Sequence, residues 1–267
     1  MKKIIFPLLI CLLFTTVVGC GDDKTQDVSS VASVSSVSSQ VASSQPEQTV
    51  QKSEIELVLQ KDVWQPVGES YYLVFFNNQS VVLYDFSALD GVTQDVGKYL
   101  SYALGHDEQG AQTVTVDFLT GSEQRTVFLF NEETKEFATA EESPLVLNTV
   151  SMKTFVDGFI SQIEAVEKQG EDTWQSQSEI NQGMGILCCY WNALYQMVNS
   201  HLEATLTTQQ FQTVAAENKT FVSTRESAMQ QAGKDVEGGT TYPMVTGGVY
   251  CSQTKNYIQT LMTNYMK

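Results

Sequence analysis

The apolar residues of this chain change their spacing near residue 150, and that change limits the fold more than any other feature. Upstream of it, short runs alternate or cluster over five or six residues. Glu54-Ile55-Glu56-Leu57-Val58-Leu59 begins in alternation, and Thr113-Val114-Thr115-Val116-Asp117-Phe118 alternates throughout. Tyr71–Phe76 and Ser80–Phe86 flank Asn77-Asn78-Gln79, a hairpin signal. Runs over 97–105 and 126–130 and a last short one at Phe137 complete six or seven predicted strands, separated by turn residues. Downstream, apolar side chains recur every three or four residues, as an amphipathic helix requires. Met152, Phe155, Val156, Phe159, Ile160, Ile163 and Val166 mark one face. A second helix is predicted from about Glu179 to Ala204. A third follows the capping-box pattern Thr207 to Gln210. A loop is predicted over Gly233–Gly248, and a fourth helix carries Tyr250 through Tyr265. The pattern predicts an α+β fold. An antiparallel β-meander or small barrel over 54–147 precedes a bundle of about four helices over 148–267.

The start of the chain has its own pattern. Met1-Lys2-Lys3 is a short positive region, and Ile4–Phe14 is apolar apart from Pro7, too short to cross a membrane. Val17-Val18-Gly19-Cys20 follows and resembles a bacterial lipobox. The resemblance implies a signal peptide over 1–19 and a lipid anchor on Cys20, which would fix the protein to a membrane of the cell envelope. The stretch 20–53 then reads as a tether. Val28–Ser44 contains only Ser, Val, Ala and Gln, and a flexible spacer of that length spans roughly 30 Å.

Charge narrows the partners. Without residues 1–19 the chain has 13 basic and 31 acidic side chains, a net of −18, and 54–147 alone carries −12. Such a surface repels phosphates and anionic lipid headgroups, so nucleic acid is excluded as a partner and the lipid must hold the membrane. Two histidines exclude a His-rich metal site. No phosphate-binding loop, dinucleotide fingerprint, serine elbow or zinc spacing occurs, so no cofactor and no enzymatic activity are expected. Glu132-Glu133 and Glu141-Glu142 read as solvated turns, and His106 as solvent-exposed.

Two further resemblances bear on function. The β-region resembles small lipocalin-like domains that begin with a tryptophan-bearing strand, here Trp64. In the helical region, Gln177–Gln182 with Asn192-Ala193-Leu194-Tyr195-Gln196, then Phe221–Ala228, then Gly238-Gly239-Thr240-Thr241-Tyr242-Pro243 with Cys251, form an ordered series. The series is similar to the LprI-like family of small secreted helical domains, named for a lysozyme inhibitor. It departs from the family where Gln182, Gly183 and Met229 stand near positions usually held by cysteine. The family's disulfide pattern therefore does not carry over unchanged.

An exported chain meets an oxidising compartment. With Cys11 in the signal and Cys20 lipidated, three thiols remain. Cys251 is expected to pair with Cys188 or Cys189. A vicinal Cys188–Cys189 bridge and a reactive Cys251 with His201 are the alternatives. Arg225, one of two arginines, is expected either to form a structural ion pair or bond loop carbonyls, such as those of the Gly238-Gly239 turn, or to bind a partner.

The leading expectation is a membrane-anchored, non-enzymatic lipoprotein that binds a basic protein such as lysozyme. Its partner-binding residues would be Gly238, Gly239, Thr240, Thr241, Tyr242 and Arg225. The alternative is a small-ligand carrier with an apolar lumen lined by Tyr72, Phe75, Leu83 and Phe118.

Overall fold

The computed structural model describes residues 53–76, 79–92, 94, 96–117, 125–131, 133–134, 136–139 and 144–266. Cys20, the signal and nearly all of the tether lie outside the described residues, as do Phe118, Glu132, Glu141 and Glu142.

Eight antiparallel strands close into a barrel in simple chain order. They are β1 (Val63–Pro66), β2 (Tyr71–Phe75), β3 (Ser80–Asp85), β4 (Lys98–His106), β5 (Gln112–Asp117), β6 (Arg125–Asn131), β7 (Glu136–Thr139) and β8 (Val146–Val150). Closure comes from β1 on β8, with Val63 opposite Val150 and Pro66 opposite Leu147. A closed sheet leaves no free strand edge. Two strands lie outside the predicted runs: β1, which the sequence marks only through Trp64, and β8, which buries only Leu147 and so shows no alternation.

Residues 54–61, expected as a strand, form a helix, α1 (Glu54–Lys61). Ser53 caps it, its hydroxyl accepting from the Glu56 N–H while the Glu56 carboxylate accepts from the Ser53 N–H at 2.9 Å. Ile55 and Leu59, four apart on one face, are buried against the barrel interior, whereas Leu57 is half exposed. The apparent alternation therefore belonged to a helical turn.

Large apolar side chains occupy the described inward positions of the barrel. Trp64, Leu73, Phe75, Val81, Leu100, Tyr102, Val114, Val116, Phe128, Phe130, Phe137 and Leu147 point inward with at most 5% exposure. Trp64 meets Phe137 edge-on at 4.8 Å, and Phe137 stacks on Phe130 at 4.8 Å. Eight strands leave an interior about wide enough for such side chains. Polar ends are satisfied locally. Trp64 Nε1 donates to the Leu59 carbonyl at 2.9 Å, and the Tyr102 hydroxyl donates to the Phe76 carbonyl at 3.2 Å.

The other α-helices are α2 (Met152–Thr173), α3 (Gln177–Thr205), α4 (Thr208–Gly233) and α5 (Tyr242–Tyr265). All the apolar positions expected to face inward on α2 are buried, and α3 buries Ile186, Leu187, Trp191, Leu194, Val198 and Leu202 among others. Thr207 caps α4 in the expected box with Gln210. With α1 the described residues hold five α-helices, one more than the reading predicts.

Barrel and helices share a core within one unit, 50–267. The outer faces of β2 and β3 carry Tyr72, Val74, Val82 and Tyr84, which pack on α2. Phe155 lies 5.2 Å from Tyr72 and 5.6 Å from Tyr84, with Phe86 closing the cluster. Coverage on both faces explains why these two strands read as nearly continuous apolar runs. Tyr72, expected in a lumen, is therefore on the outside.

Candidate functional site

The expected partner-binding segment is much more ordered than a loop. α4 ends at Gly233, a single 3-10 turn occupies Lys234–Val236, and α5 begins at Tyr242 with Pro243 in its first turn. Only 237–241 remains as a connection. The expected loop over Gly233–Gly248 is thus corrected: its second half is helix. Pro243 was the available signal, since proline favours the first helical turn. Gly247 and Gly248, poor helix formers, masked it.

The short turn is held at several points. The Gly239 N–H donates to the Val236 carbonyl at 2.9 Å, and the Tyr242 N–H to the Gly239 carbonyl at 3.2 Å. Gly238 has φ +74°, where a side chain would strain the backbone. From α3, Asn181 Nδ2 donates to the Thr240 carbonyl at 2.7 Å, and Asn181 Oδ1 accepts from Gln177 at 3.0 Å. Glu237, Gly238, Gly239 and Thr240 are exposed.

Tyr242 is 36% exposed and has a fixed seat. A Cβ at Gly233 would come within 2.5 Å of its Cε2 and 3.1 Å of its Cδ2, so an edge of the ring occupies the space a side chain there would need. One edge of the ring is thereby packed against the glycine, while part of the residue faces solvent. This is the geometry of a preorganised aromatic anchor, which loses little freedom when a partner covers it.

Arg225 does not join that surface. It is 7% exposed, its Nη1 donates to Thr254 Oγ1 at 2.9 Å, and its guanidinium lies 4.0 Å from the Tyr250 ring and 5.0 Å from Phe221. It contacts neither Gly238 nor Gly239 in any described hydrogen bond.

Of the three thiols, the structure brings Cys188 of α3 and Cys251 of α5 together at 3.6 Å. Both are free thiols, well beyond the roughly 2.05 Å of a bond between sulfurs. Met184 Sδ stands 4.0 Å from Cys251 Sγ. His201 lies thirteen residues further along α3 than Cys188, about 20 Å of helix, so it forms no pair with Cys251. Burial pushes the His201 imidazole down to about 4, partly offset by a hydrogen bond with the Gln60 backbone.

Elsewhere the surface offers less. An open hollow of about 630 Å³ lies by β6 and β7, lined by residues including Leu129, Asn131, Glu133 and Glu136, outside the lumen. Among the described residues no three His, Cys, Asp or Glu side chains gather as metal ligands. No described helix is long and apolar enough to cross a membrane.

The chain matches no family model, no curated protein and no solved structure. Function must therefore be argued from these residues alone.

Proposed function

We propose that this chain is a membrane-anchored, non-enzymatic lipoprotein of the bacterial envelope that captures a basic protein through the turn 237–242, with lysozyme the candidate partner. The observation that carries the reading is the rigid, exposed turn with Tyr242 seated on Gly233. Its backbone is locked by Asn181 and by two internal hydrogen bonds, so little ordering cost remains on binding. The acidic body adds long-range attraction for a cationic partner, which raises association rates and weakens with salt. Cys20 supplies the anchor and the tether supplies reach. The carrier alternative needs an open lumen, and the described interior positions of the barrel are filled by large side chains.

The test is inhibition. The soluble body, added to a basic lysozyme digesting cell walls, is expected to slow lysis at low salt and less so at high salt. Gly238→Val, which strains the turn, is expected to abolish the effect without unfolding the chain. Undiminished lysis at both salt levels contradicts the proposal.

A further inference from the structure

The thiols of Cys188 and Cys251 have an environment that a plain structural bridge does not require. Arg225 is buried, yet no carboxylate among the described residues forms an ion pair with it. The described ion pairs, Lys153 with Asp157 and Lys255 with Glu164, lie elsewhere. Its Nε has no hydrogen-bond partner. A buried cation without an anion is costly, and the structure must offset it. Aromatic faces of Tyr250 and Phe221 supply part of that. Several ionisable groups surround this site: the Cys188 thiol, the Tyr250 hydroxyl, and Glu167 and Cys189, whose charges help hold Cys251 as a thiol. The titration of Cys188 is drawn below the ordinary thiol range by the hydrogen bond with Cys251 and then, against burial, by the charge of Arg225. Cys251 moves the opposite way, held as a thiol by the same hydrogen bond and by burial. The two sulfurs are unequal in access, since Cys188 is half-buried and Cys251 is buried, so a disulfide reagent from solvent reaches Cys188 first. α5 approaches α3 closely enough for this contact because Gly247 lacks a side chain, as a Cβ there would lie 2.3 Å from Met184 Cγ.

We propose that Cys188 and Cys251 are a redox-active dithiol that takes its oxidising equivalents from a small-molecule disulfide, Cys188 being the attacking sulfur and Cys251 the resolving one. The Cys188 thiolate attacks one sulfur of the disulfide R–S–S–R. A Cys188–S–S–R bond forms, the R–S–S–R bond breaks, and one RS⁻ departs. Cys251 then loses its proton to solvent and attacks the Cys188 sulfur. The Cys188–Cys251 bond forms and the second RS⁻ leaves. The protein is oxidised by two electrons and the disulfide is reduced to two thiols. The exchange is stoichiometric and adds to the binding role proposed above without depending on it. Thiolate character near a cation is the recognised basis of such reactivity.

The test uses the reduced chain carrying Cys189→Ser, with glutathione disulfide as the probe and peptide mass mapping as the readout. This parent is expected to finish with a Cys188–Cys251 bridge and no glutathione, and to reopen in excess reduced glutathione. Adding Cys251→Ser is expected to trap one glutathione on Cys188. Adding Arg225→Met, in a variant that circular dichroism shows to be folded, is expected to slow adduct formation at pH 7 several-fold, because it removes a positive charge that favours the thiolate. The pH profile of Cys188 alkylation in the parent gives the same reading without the arginine variant, with its midpoint expected below that of Cys251. Failure to trap glutathione on Cys188, equal reactivity of Cys251, or a bridge that persists in excess reduced glutathione overturns the proposal. The last result would leave an inert staple instead.

Discussion

The barrel and the helical half place their polar groups in opposite ways. Inside the barrel few polar contacts are described, and one of them, Gln60 Nε2 donating to the Tyr102 hydroxyl at 3.4 Å, is buried. The helical half runs polar contacts through its middle. Tyr257 donates to Asn218 Oδ1 at 3.0 Å, Asn218 Nδ2 donates to Asn199 Oδ1 at 2.6 Å, and Asn199 Nδ2 donates to the Tyr195 carbonyl at 2.8 Å. α3 buries ten side chains or glycines, whereas α4 buries three, one of them Arg225. Apolar packing is non-directional and tolerates no water, while hydrogen-bonded seams specify register with less net stabilisation. The difference teaches that the barrel is the rigid scaffold and that adaptable chemistry concentrates between α3, α4 and α5.

The largest effect expected from breaking this contrast is in the barrel. Phe137→Ala removes the ring that Trp64 and Phe130 both touch, and is expected to cost about 3–5 kcal/mol in urea unfolding. A loss under about 1 kcal/mol would mean the interior is loosely filled.

Next comes the joint between the halves, where His201 of α3 bonds the Gln60 backbone of α1. Burial lowers its folded pKa to about 4, so the unfolded chain binds the proton more readily. Its contribution to stability is full above about pH 6.5 and is lost as pH falls toward 4, on the order of 3 kcal/mol in total. Urea midpoints measured across that window should fall for the parent and flatten for His201→Gln.

The polar seam should be more forgiving. Asn218→Ala strands the Tyr257 hydroxyl and the Asn199 carbonyl oxygen, and a loss of about 1–3 kcal/mol is expected in the same unfolding assay. The smallest change in stability is expected at the proposed recognition turn. Tyr242→Ala should leave stability within about 0.5 kcal/mol, yet weaken lysozyme binding by about 2 kcal/mol in calorimetry, as loss of a hot-spot aromatic does.

Much of this architecture was legible because periodicity reports burial. The two-residue alternation of β5 and the stripes of α2 and α3 mark faces that the structure buries. Where one signal masked another, the reading failed. At 54–59 the residues Leu57 and Val58 imitated a strand, although Ser53 and Glu56 already spelled a helix cap. At 242–248 glycine content outweighed Pro243, because the helix there rests on close packing against α3, which no local propensity reveals. Placing Tyr72 in the lumen together with Phe75 fails because side chains three apart on one strand face opposite sides, so only Phe75 points inward. Cys251 beside Cys188 rather than Cys189 was open in the sequence, since adjacent helical residues point about 100° apart and only the packing of α5 selects between them. The seat of Tyr242 on Gly233 was not legible at all, since it joins residues across a turn of unknown shape.

Hydrogen exchange of the body, measured with and without a basic lysozyme at low salt, tests most directly whether recognition belongs to the helical end. The account predicts slowed exchange over 237–245 and at the start of α3, with the barrel strands unchanged. Protection confined to the barrel, or none anywhere at saturating lysozyme, would contradict it.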